Sequence, residues 1–456
     1  MKQRNATQKM DMLNGPIWNK LPKYALPVAA TGILEQLFNA SDIAIIGNFT
    51  GAKRTLCVAA VGANSPIIGL LLNLFIGITL GANVVIANAI GHGDDDTVHR
   101  AVHTSIIMAL VGGVLIAVLG ELGIGALLSL LNVPADVLPY ALLYIRIYLL
   151  GMPAILLYNF EAAIFRSVGD TKIPLRVLAF SGMLNVLLNL FFVIVLKMTV
   201  NGVAIATVLS NIVSSVILFV KLTRTDQCIH VDVKDLKIDK TSLSRIMKIG
   251  FPAGIQGAVF AIANIVIQSA INSLGTVVIA ASSAAFNIEI FAYDVLNSFS
   301  QACTTFVGQN VGAGQMERCR KTLILCLIED AIASATTILL VLFAGKSLLS
   351  LFSNDPQVIE LGYTRLLLIF SAYTFSMLYE NMSGYLRGFG ISLAPAILTV
   401  IGVCVVRIVW IYTVFPSHRT FRTIMMAYPL SLGITALLIF IALMCYRPSK
   451  KYTRHH

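Results

Sequence analysis

Charge is scarce in this chain: Asp, Glu, Lys and Arg together make up 12% of its 456 residues, about half the share of an ordinary soluble domain. That scarcity excludes a soluble enzyme, a DNA-binding domain or a disordered tail as the main reading. Segments of about ten residues with alternating polarity, the mark of a membrane β-barrel, are also missing; stretches such as Ile67–Ile90 are apolar on every side. The seven cysteines form no CxxC and no Cys/His ligand spacing, so neither a disulfide framework nor structural zinc is expected. No GxxxxGK[ST] loop is present, and the Gly-rich stretches near Gly91 and Gly312 are read as tight turns, so this chain is not driven by ATP unless a separate subunit supplies it. The N-terminus is polar to about Lys23 and lacks the pattern of a cleavable signal peptide.

What the chain does have is apolar length. Hydrophobic residues make up 57%, mean hydropathy is +0.83, and a helix needs about 20 apolar residues to cross a bilayer. Twelve windows qualify: 23–47, 57–89, 100–131, 137–165, 173–196, 202–223, 247–272, 277–310, 322–352, 357–386, 393–415 and 423–446. Lipid offers the backbone no hydrogen-bond partner, so these are expected to be helices. The fold class is therefore an all-α polytopic membrane protein.

The net charge of +11 sets the topology rather than a nucleic-acid contact. With both termini on one side, that side holds 24 of the 33 Lys and Arg residues, among them Lys2, Arg4, Lys9, Lys450, Lys451 and Arg454. The opposite side holds six: Lys53, Arg54, Lys197, Lys346, Arg419 and Arg422; Arg146, Arg365 and Arg407 fall inside windows. The positive-inside rule then puts both termini in the cytoplasm. His92, His99 and His103 near Asp94–Asp96 are read as a solvated loop rather than a metal site.

A polar stretch, 224–246, divides the chain into six-window halves, 1–223 and 247–456. The halves match at a constant offset of 221. Gly91-His92-Gly93 pairs with Gly312-Ala313-Gly314, Leu157-Tyr158 with Leu378-Tyr379, and Arg166-Ser167-Val168-Gly169 up to Pro174 with Arg387-Gly388-Phe389-Gly390 up to Pro395. Two like-oriented six-helix lobes imply a pseudo-two-fold axis along the membrane normal, a recurrent transporter plan with substrate near the midplane and alternating access.

At these residues the chain resembles the MATE family of multidrug and toxic compound extrusion antiporters. The resemblance rests on Asp42 before Gly47, Ala59-Ala60-Val61-Gly62, Arg166 to Lys172, Val307 to Gly314, and Arg387 to Gly390, and covers almost the whole chain. It implies drug–cation antiport in the cell inner membrane, driven by H⁺ or Na⁺, with no other cofactor and with the protein acting as a monomer rather than an enzyme.

Charges inside a membrane are costly, so each intramembrane acid is a functional candidate. Asp42 matches the family's ion-coupling acid, and Glu35 lies seven residues earlier on the same helical face. A desolvated carboxylate can take up a proton near neutral pH, and that proton would compete with a cationic drug. Asn185 and Asn189 are four apart in span five and Thr207 follows in span six; by the resemblance they join Asp42 in an ion site. Several proton-coupled members carry Asp where this chain has Asn189, and one carboxylate with neutral oxygens suits either H⁺ or Na⁺. Glu35, as a second nearby acid, tips the balance slightly toward H⁺.

Glu161, Glu289, Asp294 and Glu380 are the candidates for contacting a cationic substrate; Glu289 and Asp294, about 140° apart on their helix, need not share a face. Glu329 and Asp330 are assigned to packing. The NorM branch of the family uses further acids at positions that are Phe260 and Ser376 here, so its second-lobe ion site is expected to be absent. Phe75, Phe286, Phe291, Phe299, Met183 and Met377 are candidate pocket residues for flat cations. Two alternatives remain: a flippase for lipid-linked saccharides, which needs a basic cavity where acids here outnumber Arg146, Arg365 and Arg407, and a receptor or channel without coupled transport, which would not require the duplication.

Overall fold

The computed structural model describes residues 10–130 and 133–449. The basic residues Lys2, Arg4, Lys9, Lys450, Lys451 and Arg454 of the topology argument lie outside them. Every regular element among the described residues is helical. The helices are α1 (Leu21–Phe49), α2 (Arg54–His92), α3 (Asp95–Leu130), α4 (Leu138–Leu150), α5 (Met152–Ser167), α6 (Lys172–Leu190) and α7 (Val200–Thr223). After the central loop come α8 (Lys240–Asn272), α9 (Thr276–Gly312), α10 (Met316–Ser350), α11 (Pro356–Phe370), α12 (Tyr373–Gly388), α13 (Leu393–Thr399), α14 (Val406–Thr413) and α15 (Phe421–Tyr446). π-helical turns at Phe191–Val195 and Val400–Val405 extend α6 and join α13 to α14.

Nine helical stretches among the described residues are long and apolar enough to cross a membrane, and counting each bent pair as one span makes eleven. The twelfth is α1, whose 29 residues carry Glu35, Gln36, Asn39 and Asp42 and so fall short in hydropathy. Two windows expected to be single spans are broken: α4 meets α5 at 50° and α11 meets α12 at 45°. At the first break, Gly151 precedes Met152 and Pro153, and proline lacks the N–H that would continue the ladder.

The chain divides into two compact units. In the first, built from Ala30–Ile90 and Asp94–Ile246, α3 packs on α4 and α5, and α7 packs on α4, α5 and α6. In the second, built from Asp11–Ala29, Gly91–Gly93 and Met247 onward, α9 is flanked by α10, α11 and α12, and α15 packs on α11 to α14. Its core joins Leu296, Leu366, Phe370, Ile424 and Met425. Lipid-facing surfaces show as large exposed side chains, such as Leu122 on α3 and Phe343 on α10.

The duplicated motifs are helix ends. At the end of α5, Asp170 N–H donates to the Phe165 carbonyl (3.0 Å) and Gly169 N–H to Arg166 (3.0 Å); at the end of α12, Ile391 N–H donates to Leu386 (3.0 Å) and Gly390 N–H to Arg387 (2.8 Å). Both are Schellman caps, which need a left-handed residue, and Gly169 and Gly390 have φ of 84° and 78°. Gly93 and Gly314, with φ of 73° and 71°, close α2 and α9 in the same way, beside Asp94 N–H on Ala89 (3.1 Å) and Gln315 N–H on Asn310 (2.8 Å). The glycines read from the sequence as tight turns thus have a defined mechanical role. Gly91 has another: a Cβ there would run into the Gln309 carbonyl.

The histidine stretch differs from expectation. His103 is buried rather than solvated; its Nδ1 donates to the His99 carbonyl (2.7 Å) and its Nε2 accepts from Asp232 N–H (3.1 Å). It anchors the central loop to α3, as does Thr104, whose Oγ1 accepts from Asp239 N–H (2.9 Å). The described residues contain no cluster of three or more His, Cys, Asp or Glu suited to a metal, and all seven cysteines are free thiols. Helix α8 begins at Lys240 rather than near 247.

Candidate functional site

In the first unit, four residues from three helices converge. Asp42 on α1 is 8% exposed. Its Oδ1 accepts from Asn189 Nδ2 at 2.6 Å, and its Oδ2 accepts from Thr207 Oγ1 at 3.3 Å. Asn189 Nδ2 also donates to Asn185 Oδ1 (3.1 Å), and Asn185 Nδ2 donates to Thr207 Oγ1 (3.4 Å). The spacing of four on α6 stacks the two asparagines one turn apart, and the π-helical turn Phe191–Val195 follows directly. Turns of that type interrupt regular helices most often at functional sites.

The quartet is one acid ringed by neutral groups. No Lys or Arg lies within ion-pair distance of Asp42 among the described residues. The Asn189 Oδ1 is enclosed and accepts no hydrogen bond among them. Rotating that amide would present an oxygen to Asp42 in place of an N–H. The present arrangement suits an ionised carboxylate, and the rotated one suits a carboxyl that has taken up a proton or a cation. Tyr148, stacked 6.2 Å from Tyr144, lies within electrostatic reach of both Asp42 and Glu35.

The remaining candidates fall apart from this quartet. Glu35 is exposed on α1, shares no hydrogen bond with Asp42, and has Arg166 and Tyr158 within electrostatic reach. Glu161 is wholly buried in α5, and neither of its oxygens finds a hydrogen-bond partner among the described residues; it is sealed from any open space in this structure. In the second unit Glu289 is no unpaired counter-charge. Arg365 meets its Oε2 through Nη2 (2.9 Å) and Nε (3.2 Å), and donates through Nη1 to Ser282 (2.7 Å). Glu380 is 5% exposed and accepts from Tyr293 OH at 3.3 Å. Asp294 is half-buried on α9.

Of the proposed pocket residues, Phe299 and Met377 are buried core, while Met183 is 67% exposed. Phe286 lies against Arg365, 5.6 Å from guanidinium to ring.

Asp330, read as packing, has more to it. It is wholly buried, with Ser334 Oγ donating to its Oδ1 (2.9 Å) and Asn381 Nδ2 to its Oδ2 (2.5 Å). An acid, an amide and a hydroxyl thus meet in the second unit too. The signal that would have found the pair is the buried polar Asn381 in an apolar span, whose side chain needs a partner.

The MatE family model matches residues 27–191 and 252–413, which takes in both units and three members of the quartet, with Thr207 between the two matched stretches. The chain belongs to the MatE family. Membership makes it a membrane transporter rather than an enzyme. It is 24% identical over 434 residues to "Probable multidrug resistance protein YoeA" of Bacillus subtilis, covering 93% of each chain. It is 26% identical over 397 residues to "Probable multidrug resistance protein NorM" of Thermotoga maritima, covering 86% of this chain and 84% of that protein. Among solved structures, a multidrug resistance MATE family transporter of the MOP superfamily, in an outward-facing conformation, superposes with a TM-score of 0.90 at 21% identity. That alignment covers 99% of this chain and 100% of that one, and MATE structures of this kind have twelve transmembrane helices in two lobes.

Proposed function

We propose that this MatE protein exports multiple drugs, chiefly organic cations, in exchange for H⁺ or Na⁺, with Asp42 as the coupling acid. The observation that carries the reading is the quartet: a buried carboxylate whose partners are amides and a hydroxyl, with no basic residue among the described ones to neutralise it. Such an acid has low cost in only two ways, by binding a proton or by binding a cation. The oxygens at hand are those of Asp42, Asn185, Asn189 and Thr207, the donor set a hard monovalent cation prefers. Taking up the ion would reorient the Asn189 amide and loosen α1 from α6 and α7. That coupling of ion to helix packing is what alternating access requires. The relatives named as multidrug resistance proteins support the drug-export part of this reading, and the 24 to 6 distribution of basic residues supports both termini lying in the cytoplasm.

The test is uptake of a fluorescent lipophilic cation into proteoliposomes, with a pH gradient and a Na⁺ gradient imposed separately. The reading expects one gradient to drive uptake and Asp42→Asn to abolish it. Uptake by neither gradient, or undiminished uptake by the variant, would overturn it.

A further inference from the structure

Two arginines of the second unit, Arg365 and Arg407, fall within the apolar windows 357–386 and 393–415, and among the described residues only Arg365 is paired with a carboxylate. Arg365 and Arg407 lie on the same ring: the Tyr428 centroid is 5.8 Å from the Arg365 guanidinium carbon and 4.0 Å from that of Arg407. Arg365 uses three of its nitrogens on Glu289 and Ser282. Arg407 is 6% exposed, and its only hydrogen bond among the described residues runs from Nε to Ser431 Oγ (2.9 Å). No carboxylate lies within ion-pair distance of it there. Glu380, the acid that shares Tyr379 with it electrostatically, is already bonded to Tyr293.

The support beneath Arg407 is rigid. Ser431 Oγ donates to the Tyr428 carbonyl (3.0 Å), so it meets the arginine with a lone pair. Thr435 Oγ1 donates to the Ser431 carbonyl (2.7 Å). The π-helical turn Val400–Val405 ends just before Arg407, and its Gly402 is pressed so closely on Thr435 that a Cβ would collide. Nε and the guanidinium plane are thereby fixed between ring and hydroxyl. The two terminal nitrogens bond to nothing among the described residues and are not among the polar atoms sealed inside the protein. A guanidinium that is mostly desolvated and has no counter-charge is strongly disfavoured. An aromatic face offsets part of that charge and carries none of its own.

We propose that Arg407 is the recognition residue of an anion-binding site in the second unit, taking a carboxylate or phosphate group between its two free terminal nitrogens. The planar fork matches the oxygens of either group bidentately, and Tyr428 and Arg365 form the wall behind it. The group can belong to a soluble molecule or to a lipid headgroup. The inference stands apart from the antiport reading, because every residue it uses lies in the second unit and its readout is binding rather than transport.

A reporter is built in. Trp410 lies one helical turn beyond Arg407 on α14, its Nε1 bonded to the Thr423 carbonyl (2.8 Å), and Trp18 is the only other tryptophan in the sequence. In a Trp18→Phe background, the full-length protein in uncharged detergent is titrated with phenyl phosphate, benzoate and, as neutral control, benzyl alcohol, reading Trp410 emission. In a separate arm it is placed in phosphatidylcholine nanodiscs with and without phosphatidylglycerol. The expected result is a saturable response to the anions and none to the alcohol, weakened about thirtyfold or more in Arg407→Gln. Arg407→Lys, which keeps the charge without the fork, should retain binding of both anions at reduced affinity. Thermal melting of each variant separates lost binding from lost folding. A response to phosphatidylglycerol alone keeps the anion chemistry and assigns it to a lipid headgroup. An unchanged response in Arg407→Gln, or no anion response in either arm, would sink the proposal.

Discussion

The two units treat a buried acid in opposite ways. In the first, Asp42 is surrounded by Asn185, Asn189 and Thr207, all neutral. In the second, Glu289 is clasped by Arg365. An acid held by amides keeps its charge available to a mobile ion, whereas an acid held by a guanidinium has spent it on structure. The duplicated backbone accommodates both solutions because the repeat preserves caps and helix order, not the identities of side chains along the spans. Asp330 is intermediate: its partners Asn381 and Ser334 are neutral like those of Asp42, but it is completely enclosed.

The comparison can be broken by substitution. The largest effect is expected at Asp42: Asp42→Asn should reduce gradient-driven uptake to the level of protein-free vesicles while leaving the melting temperature near wild type, as measured side by side. Next, Glu289→Gln leaves Arg365 buried without its partner and should destabilise the second unit by about 3–5 kcal/mol, read by thermal melting in detergent. Replacing both, as Glu289→Leu with Arg365→Met, should recover most of that loss, since an apolar pair avoids the desolvation penalty. A double variant as unstable as the single one would mean that Arg365 is needed for more than neutralising Glu289.

Smaller effects sharpen the picture. Asn189→Leu removes the 2.6 Å bond to Asp42 and leaves a buried acceptor short of a partner, so a loss of about 1–3 kcal/mol is expected; Asn189→Asp should instead preserve folding and alter the pH dependence of uptake. The smallest effect is expected in the central loop. Hydrogen bonds from the Ser242 side chain and backbone hold the Asp239 carboxyl below its ordinary range. Its contribution is therefore present above the usual carboxylate pKa and lost as the pH falls through the lowered value. Asp239→Ala should cost about 1 kcal/mol or less, and hydrogen exchange at the start of α8 should rise only where the pH is high enough for the wild-type carboxylate to be ionised.

The quartet is legible in the sequence because its members sit at positions that can be matched one by one to the family, and because an acid in an apolar helix is conspicuous by itself. Twelve spans and the repeat are legible for a similar reason: apolar length and glycine–proline punctuation are local signals. The Glu289–Arg365 pair is not, since Glu289 on α9 and Arg365 on α11 are brought together only by packing. The same holds for Asp330 with Asn381, for Arg407 on Tyr428, and for His103 under the central loop. In each case the sequence shows two polar residues in separate segments, and no periodicity says that they touch.

Composition and local pattern thus determined that this chain spans a membrane twelve times, that its halves repeat, and that helices end in tight turns near Gly91 and Gly312. Those are consequences of solvent transfer and backbone sterics, which act within a few residues of chain. Tertiary structure alone decided which buried charges are neutralised. A charge in low dielectric is governed by whatever lies within a few ångströms of it, and packing of distant helices determines that neighbourhood. It left Asp42 among neutral amides and a hydroxyl, closed Glu289 against Arg365, and gave Arg407 a tyrosine and a serine but, among the described residues, no carboxylate.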